Sequence, residues 1–262
     1  MSPYLIAIPV LLFFMTAIFC LALLLKDNSI VDIAYGSAFV LISWSAYLFS
    51  GSAHPRQLLV LTLVTLWGLR LSVHIFLRKR GESGEDSRYR KWRDEWGDSF
   101  VWRSFLQIFM LQGAVIFFVS LPILVVIHLP GASLGLLDLL GILVWLLGFS
   151  FEAIGDWQLL RFKRNPANRG RILQSGLWRY SRHPNYFGEA ILWWGVLLIA
   201  LGSPLGIIAI VSPLLIDFLL FKVSGVPMLE AKYAGNPAFE AYKQRTNAVF
   251  PWFPAEAKGV ER

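Results

Sequence analysis

The sequence has little cysteine and little charge for its length. Its single cysteine, Cys20, excludes an internal disulfide and a metal site built from several thiolates. Charged residues make up only 16% of the chain, whereas an ordinary soluble domain carries about 25%. Hydrophobic residues reach 56% and the mean hydropathy is +0.58. This balance excludes a soluble domain of ordinary composition and indicates a membrane protein.

Several catalytic signatures are absent as well. The chain contains no HExxH, no cluster of cysteine and histidine, and no serine elbow between a strand and a helix. Hydrolysis by zinc or by a catalytic serine therefore has no support, and we expect no metal site. No GxGxxG follows a predicted strand, which excludes a Rossmann domain. Any nucleotide must therefore bind among loops and helix ends.

Apolar runs predict an all-α polytopic membrane protein with seven transmembrane helices, forming one domain over residues 1–262. A helix needs about 20 residues to cross about 30 Å of hydrocarbon. The last two runs are shorter and are separated only by residues 202–204, and two joined spans are favoured over one reentrant hairpin. The predicted spans are 3–25, 30–50, 57–77, 104–128, 135–160, 187–202 and 205–221.

Basic residues predict the orientation of these spans. With seven spans, 22 of the 24 lysines and arginines fall on one face, in the loops 78–103 and 161–186, in the tail 222–262 and at Lys26. The positive-inside rule places this face in the cytoplasm, so the amino terminus is expected outside. The net charge of +7 is then mainly a topology signal, with attraction to anionic membrane lipids as a by-product and no nucleic acid as a partner.

Polar side chains also fall inside predicted spans, where they mark candidate functional sites. Asp32 lies three residues before Tyr35, and Arg70 lies four residues before His74, so each pair shares a helix face. A structural alternative stays open for both pairs. Asp32 is near a helix start, where a carboxylate caps backbone amides, and Arg70 is able to pair with an acid.

Polar segments outside the spans have the composition of a nucleotide site. Segment 176–189 combines cations, an imidazole, an amide, phenols and a carboxylate at the start of an apolar span. Segments 85–89 and 163–171 mix arginines with Asn, Asp, Gly and Tyr. Arginine suits phosphate, whereas Asn and Asp suit ribose hydroxyls. The alternative is that the arginines only orient the chain, which explains their number but not the residues between them.

The motif Arg-His-Pro-Asn-Tyr at 182–186, with Gly-Glu at 188–189, resembles the carboxyl-terminal signature of the membrane steroid reductases. These are the steroid 5-alpha-reductases, the sterol delta-14 and delta-7 reductases, and bacterial relatives of the DUF1295 type. The likeness extends to segments 85–89, 225–230 and 242–254 and covers about the last two-thirds of the chain. It implies an oxidoreductase of the bacterial inner membrane that reduces the carbon–carbon double bond of an enone lipid, most closely a 3-oxo-delta-4 steroid, with NADPH bound at the cytoplasmic face.

The resemblance also implies which residues contact the cofactor. The residues that match dinucleotide ligands are Asp156, Lys163, Arg164, Arg171, Asn185 and Glu189. Those that match phosphate and ribose contacts are Arg78, Arg88 and Tyr89, and those expected to line the same cavity are Tyr180, His183 and Trp193. The remaining motif residues assigned to the cofactor site are Asp86, Asn168, Arg182, Tyr186, Glu230 and Tyr242.

In the 5-alpha-reductases an intramembrane Glu and a Tyr on the next span polarise the substrate ketone. Asp32 falls in the place of that Glu, but the Tyr has no clean counterpart, so Tyr35 or His74 is expected to substitute for it. Hydride attack on the enone drives negative charge onto the carbonyl oxygen, which needs a hydrogen-bond donor in a dry site. Asp32 is such a donor only when protonated, which burial favours. The apolar substrate is expected to enter from the bilayer.

Two other functional classes compete with the reductase. The first is a membrane S-adenosylmethionine methyltransferase of the isoprenylcysteine carboxyl or phospholipid N-methyltransferase kind, which shares an Arg-His-Pro-x-Tyr core followed by a Glu and a Tyr, here Glu230 and Tyr242. That donor carries no phosphate, so the many arginines favour the reductase. The second is a lipid sensor or transporter, but transporters of the usual kind carry internal repeats, and none is visible.

Overall fold

The computed structural model describes residues 2–81 and 84–255, and every regular element in those ranges is a helix. No β-strand occurs there, so the all-α prediction is confirmed for this part of the chain. In chain order the α-helices are α1 (Pro3–Leu25), α2 (Ile30–Leu48), α3 (Pro55–Lys79), α4 (Ser87–Trp96), α5 (Phe100–Arg103), α6 (Leu111–Val119), α7 (Leu121–His128), α8 (Leu136–Arg164), α9 (Pro184–Ala200), α10 (Val211–Phe218), α11 (Val226–Ala231) and α12 (Pro237–Arg245).

Short segments of tighter or wider helix connect several of these elements. A π-helical segment, Ser104–Met110, joins α5 to α6, and a second one, Leu219–Val223, continues α10. The 3-10 segments are Gly97–Ser99, Pro166–Asn168, Gly176–Arg179 and Gly206–Ile210. Two of the predicted loops and the tail therefore contain short helices.

Six helical stretches in the described part of the chain are long and apolar enough to cross a membrane. They are Pro3–Leu25, Ile30–Leu48, Pro55–Lys79, Ser87–Val119, Leu136–Arg164 and Gly206–Ala231. Helix α9 has only 17 residues, slightly fewer than the ~20 that cross the hydrocarbon region. An integral membrane protein is therefore supported, while the seventh span and the orientation stay predictions.

The fourth span differs from the prediction of one helix over 104–128. Helix α6 ends at Val119, and α7 begins at Leu121 with Pro122 in its first turn. Proline has no backbone N–H and cannot continue the hydrogen-bond ladder of a preceding helix. The side chains from Pro122 to Ile127 are buried, so α7 is a core helix and not the end of a lipid-facing span.

The chain divides into two compact units. Unit 1 comprises the described residues of Met1–Leu139 together with Val196–Ser212. Unit 2 comprises Leu140–Gly195 together with the described residues of Pro213–Arg262. Each of the two contains residues that the sequence assigns to a functional site.

In unit 1, helices α2 and α3 cross with their backbones in contact. A Cβ atom added to Gly36 would lie 2.2 Å from the carbonyl oxygen of Gly68. A side chain at either position would push the helices apart, so this crossing requires glycine. The close crossing packs the ring of Tyr35 against Phe39 and Trp67, with ring centroids 5.1 and 6.4 Å away.

A buried ion pair also holds unit 1 together. The guanidinium of Arg56, at the start of α3, binds both carboxylate oxygens of Asp138, with Nε–Oδ1 at 2.7 Å and Nη2–Oδ2 at 2.8 Å. The remaining guanidinium donors bind the carbonyl oxygens of Gly202 at 2.7 Å, Ser133 at 3.1 Å, and Pro130. Both charged side chains are 3% exposed. Every N–H of this guanidinium therefore has a protein acceptor.

In unit 2, helices α8 and α9 pack through glycines. A Cβ atom on Gly188 would lie 2.4 Å from the backbone nitrogen of Glu152, and one on Gly148 would lie 2.5 Å from that of Leu192. Gly155 likewise approaches the backbone nitrogen of Asn185. This close packing brings the polar beginning of α9 against the polar end of α8.

Candidate functional site

Unit 1 brings together residues that the sequence assigned to both the catalytic and the cofactor sets. The Arg88 guanidinium binds Asp32, with Nη2–Oδ2 at 2.8 Å, and the hydroxyl of Tyr89 donates to Asp32 Oδ1 at 2.7 Å. Asp86 accepts from Arg88 Nε at 3.0 Å and caps the start of α4 through the backbone N–H of Arg88. These four residues form one connected network, here called the Asp32 network.

The contacts of Asp32 define its chemical form. Both of its oxygens accept hydrogen bonds, one of them from a guanidinium. This is the arrangement of an ionised carboxylate, which has no proton to donate. The geometry therefore does not favour the protonated acid that the mechanism required of Asp32.

The turn between α1 and α2 supports the Asp32 network. Lys79, in the last turn of α3, pairs with Asp27 and also donates to Ser29. Burial tends to raise the pKa of Asp27, but the hydrogen bonds from Lys79 and Ser29 outweigh it and lower this pKa below its usual value. A small polar pocket is lined by Ser29, Asp32, Ile75, Arg78, Lys79 and Asp86. The predicted phosphate ligand Arg78 therefore borders the same network.

The other two predicted catalytic residues lie elsewhere on α2 and α3. The ring of Tyr35 packs edge-on against aromatic rings, one turn along α2 from Asp32. His74 lies on α3 and is half-buried. Their roles in catalysis stay predictions.

In unit 2 a buried charge cluster forms around Glu230. Glu230 Oε1 accepts from Arg182 Nε at 2.9 Å and Nη2 at 2.8 Å, and it lies 3.1 Å from His183 Nε2. Lys243 Nζ lies 3.9 Å from the other carboxylate oxygen. The side chains of Arg182, His183 and Glu230 are 9%, 6% and 15% exposed. The cluster thus connects the Arg-His-Pro-Asn-Tyr motif to α11. The sequence alone did not indicate this contact.

His183 leaves one ring nitrogen available for a ligand. Burial lowers the pKa of His183 and outweighs the opposing hydrogen bond with Glu230, so the imidazole is neutral at pH 7. Since Nε2 faces a carboxylate oxygen, Nε2 carries the proton and Nδ1 is an acceptor. Nδ1 is buried and has no hydrogen-bond partner among the described residues.

Asn185 presents a second buried acceptor two residues later. Its Nδ2 donates to Asp156 Oδ1 at 3.1 Å, which fixes the orientation of the amide. The amide oxygen Oδ1 is buried and, within the part of the chain that the structure describes, accepts no hydrogen bond. Buried acceptors in native proteins nearly always have a donor, so these two acceptors are candidates to bind water or a ligand. Sequence reasoning placed Asp156, His183 and Asn185 in one cofactor set, and unit 2 brings all three to the junction of α8 and α9.

Tyr242 and the residues around the motif anchor the chain after α12. The hydroxyl of Tyr242 donates to the carbonyl oxygen of Trp178, and burial raises the pKa of Tyr242. Ser181 Oγ donates to the carbonyl oxygen of Val249 at 2.6 Å, and the backbone carbonyl oxygen of Tyr180 accepts from the backbone N–H of Trp252 at 2.9 Å. Both Tyr242 and Tyr180 therefore hold protein segments together, in addition to any contact with a ligand.

The remaining predicted cofactor residues surround this region of unit 2. Lys163, Arg164 and Arg171 are exposed at and beyond the end of α8. Their exposure fits ligands for a phosphate at the protein surface. Tyr186, Glu189 and the fully buried Trp193 lie in α9, and the ring of Tyr186 stacks on that of His183 with ring centroids 5.4 Å apart. Asn168 lies in a 3-10 turn, where its side chain donates to the carbonyl oxygen of Phe162 at 3.0 Å.

Sequence reasoning missed two acids inside apolar runs. Asp138 pairs with Arg56, as described above, and Asp217 lies in α10, where it accepts from Trp194. The sequence did contain a signal for both residues, because an acid inside an apolar run long enough to span a membrane is itself a candidate for function or for pairing with a cation. Among the described residues no group of three or more His, Cys, Asp or Glu side chains is arranged to hold a metal ion.

No curated protein sequence and no solved structure matches this chain. The DUF1295 family, described as a protein of unknown function, matches residues 18–246. This family is associated with steroid 5-alpha-reductase-like membrane proteins. Because the match covers most of the sequence, including both clusters described above, the chain belongs to the DUF1295 family.

Proposed function

We propose that this protein is an NADPH-dependent reductase of a carbon–carbon double bond in an enone lipid, with a 3-oxo-delta-4 steroid as the best candidate substrate. The observation that carries the proposal is the pair of buried acceptors in unit 2, His183 Nδ1 and Asn185 Oδ1. They stand at the beginning of α9, inside the motif that resembles the membrane steroid reductases.

The chemistry of these two acceptors limits the ligand. Both need a donor, so a phosphate oxygen does not satisfy them, whereas ribose hydroxyls and a carboxamide NH2 do. Exposed cations at the end of α8, namely Lys163, Arg164 and Arg171, suit the phosphates of the same molecule. A phosphorylated dinucleotide combines these donors and anionic groups in one ligand.

The residues of this chain then bind and orient the cofactor. When bound, NADPH supplies a hydride to the β-carbon of the enone, and negative charge gathers on the carbonyl oxygen. Asn185, held by Asp156, is pre-oriented for its ligand donor, because the amide cannot rotate without losing that bond. The protein must also offer a hydrogen-bond donor to the carbonyl oxygen. Tyr35 and His74 remain candidates, whereas Asp32 accepts at both oxygens.

We also propose that the membrane arrangement has seven spans, with the cofactor site on the cytoplasmic side and the substrate entering from the bilayer. The six long apolar helices and the concentration of basic residues in loops support this proposal. Reporter fusions after residues 52 and 132 are expected to report the periplasm in a bacterial inner membrane, and a fusion after residue 85 the cytoplasm. The opposite pattern would exclude the proposed orientation.

Calorimetric binding to the detergent-purified protein tests the cofactor. We expect NADPH to bind and S-adenosylmethionine not to bind, and NADPH oxidation to depend on an added 3-oxo-delta-4 steroid. Arg171→Ala is expected to weaken NADPH about tenfold more than NADH, because it removes a cation suited to the extra phosphate. Arg80→Ala, an exposed arginine outside both clusters, is the matched control. Binding of S-adenosylmethionine alone would exclude the reductase.

The methyltransferase alternative was based on the Arg-His-Pro-x-Tyr core at 182–186 and on the later residues Glu230 and Tyr242. In unit 2 Glu230 binds Arg182 and His183, and Tyr242 donates to a backbone carbonyl. These contacts stabilise the protein whichever ligand it takes, so the two residues no longer favour a methyl donor over a dinucleotide. The same calorimetric comparison separates the two functions.

A further inference from the structure

Asp217 is an acid inside an apolar helix, and none of the described cations pairs with it. It lies in α10, within the apolar stretch Gly206–Ala231, and both it and Trp194 belong to unit 2. The indole N–H of Trp194 donates to Asp217 Oδ2 at 3.0 Å. The other oxygen, Oδ1, is buried and has no hydrogen-bond partner in the described residues, and Asp217 forms no ion pair there.

Burial without a cation favours the neutral form of this carboxyl. A charged carboxylate inside a span costs several kcal/mol unless a partner cation or water compensates it. The Trp194 N–H is a donor, so it binds the carboxyl oxygen that lacks the proton. In the neutral form the proton is on Oδ1, and Asp217 is then a hydrogen-bond donor that no described residue satisfies.

We propose that the Asp217 carboxyl donates a hydrogen bond to the single acceptor oxygen of an apolar lipid, such as the ketone of an enone. The inference rests on the proposed function, for which it supplies the donor at the carbonyl oxygen. Asp32 does not fill this role, because both of its oxygens accept hydrogen bonds. Asp217 has one oxygen that accepts from Trp194 and one that has no hydrogen-bond partner among the described residues.

The position of Asp217 along unit 2 suits an apolar ligand. Its partner Trp194 follows Asn185 by nine residues on α9, which is about 13 Å at 1.5 Å per residue. The donor therefore lies deeper in the apolar helix pair than the acceptors assigned to the cofactor. A lipid with one polar end is able to bring its ketone to this depth, whereas a charged metabolite is not.

The hydrogen bond strengthens as the carbonyl oxygen gains negative charge during reduction. Trp194 acts as a positioning residue, since its N–H holds Oδ2 and so turns the protonated oxygen away from it. Trp194→Phe is expected to lower kcat with little change in NADPH affinity, and the loss is expected to be smaller than that of Asp217→Leu.

A pair of ligands that differ by the one oxygen tests the inference directly. The binding of a 3-oxo-delta-4 steroid and of its 3-deoxy analogue is measured on the full-length protein in lipid nanodiscs. On the wild-type protein the ketone is expected to bind about tenfold more tightly than the deoxy analogue. In Asp217→Leu this ratio is expected to fall to about one. Phe218→Leu, which changes an exposed neighbour on α10, is expected to keep the wild-type ratio.

The protonation of Asp217 is tested without any substrate. A hydrophobic carbodiimide reacts with protonated carboxyls in apolar surroundings, and peptide mass spectrometry is expected to find it on Asp217 and not on the ion-paired Asp32. An unlabelled Asp217 would overturn the inference, whether or not the Leu variant folds.

The outcomes separate this inference from the proposed function. An unchanged ketone-to-deoxy ratio in Asp217→Leu, with steroid-dependent NADPH oxidation intact, overturns the role of Asp217 and leaves the reductase standing. A ratio that depends on Asp217, in a protein that neither binds nor oxidises NADPH, supports the donor and overturns the reductase. If neither steroid binds to the wild-type protein, the role of Asp217 and the choice of a 3-oxo-delta-4 steroid as the substrate are both wrong.

Discussion

Two buried arginines show how a structural network differs from a ligand site. In unit 1 the guanidinium of Arg56 donates to both oxygens of Asp138 and to three backbone carbonyls, so no polar atom of this guanidinium is left over. In unit 2 Arg182 is also buried and paired with Glu230, but the adjacent His183 keeps a buried acceptor without a partner among the described residues. A network that is complete within the protein stabilises it, whereas an incomplete one indicates a ligand.

The largest effect is expected from breaking the complete network. Arg56→Met leaves the Asp138 carboxylate buried without its partner, which costs about 3–5 kcal/mol in comparable buried pairs. Thermal unfolding in detergent measures this loss. The double variant Arg56→Met with Asp138→Leu is expected to recover most of the stability, because no charge is then left buried. Full stability of the single variant would show that the pair does not hold unit 1 together.

Removing the acid of the incomplete network is expected to have a smaller effect on stability. Glu230→Ala leaves Arg182 and His183 without their shared acceptor and should destabilise the protein by about 2–3 kcal/mol. It should also weaken NADPH binding, because the Nε2 proton of His183 is no longer fixed. Glu240→Ala, an exposed acid of α12, is the matched control and is expected to stay within about 0.5 kcal/mol of the wild type. Equal losses in both variants would contradict the special role of Glu230.

The amide oxygen of Asn185 has no partner among the described residues, so its loss is expected to affect ligand binding more than stability. Asn185→Ala is expected to weaken NADPH about tenfold or more, by removing an oxygen that binds the cofactor. Its stability should fall by only about 1 kcal/mol, since the protein loses only the bond to Asp156. Gln244→Ala, which removes an exposed side-chain amide of α12, serves as the control in calorimetry and thermal unfolding. A large stability loss with unchanged affinity would reverse the assignment.

The pH dependence of stability is the smallest of the four effects. The pKa of His183 is lower in the folded protein than its usual value of about 6.5 in an unfolded chain. At pH values between these two pKa values, the unfolded chain therefore binds more protons than the folded protein. Stability is therefore expected to fall as the pH drops below about 6.5, by at most about 1.4 kcal/mol per pH unit. Unfolding temperatures of the wild type and of His183→Gln measure it, and the variant should show a weaker dependence. The same slope in both proteins would exclude His183 as the cause.

Much of the fold was predictable because its signals are local. Long apolar runs gave α1, α2, α3 and α8 within a few residues, since a membrane helix needs only a sufficient length of apolar residues. The predicted fourth span, 104–128, runs past the end of the apolar stretch Ser87–Val119, because apolar composition does not distinguish the buried helix α7 from a lipid-facing one. Pro122 was the residue that signalled the break.

The candidate site was predictable only as a set of residues. The motif drew attention to His183 and Asn185, and the resemblance added Asp156, but nothing in the sequence indicated that Glu230 would orient the imidazole. Asp32 shows the same limit. The sequence predicted that Asp32 belongs to a functional site. It did not indicate that Asp32 accepts a hydrogen bond from Arg88, 56 residues away, instead of donating one to a substrate.

The amino-acid sequence by itself determined the membrane environment, the helical class and the family, because composition, helix length and a contiguous motif depend on neighbouring residues. Only the tertiary structure decided which polar atoms are satisfied. Arg56 pairs with Asp138, 82 residues away, whereas Nδ1 of His183 has no partner among the described residues. Both results depend on which distant segments meet in an interior with little water. There, each unpaired donor or acceptor costs free energy, so an atom left without a protein partner is a candidate to bind water or a ligand.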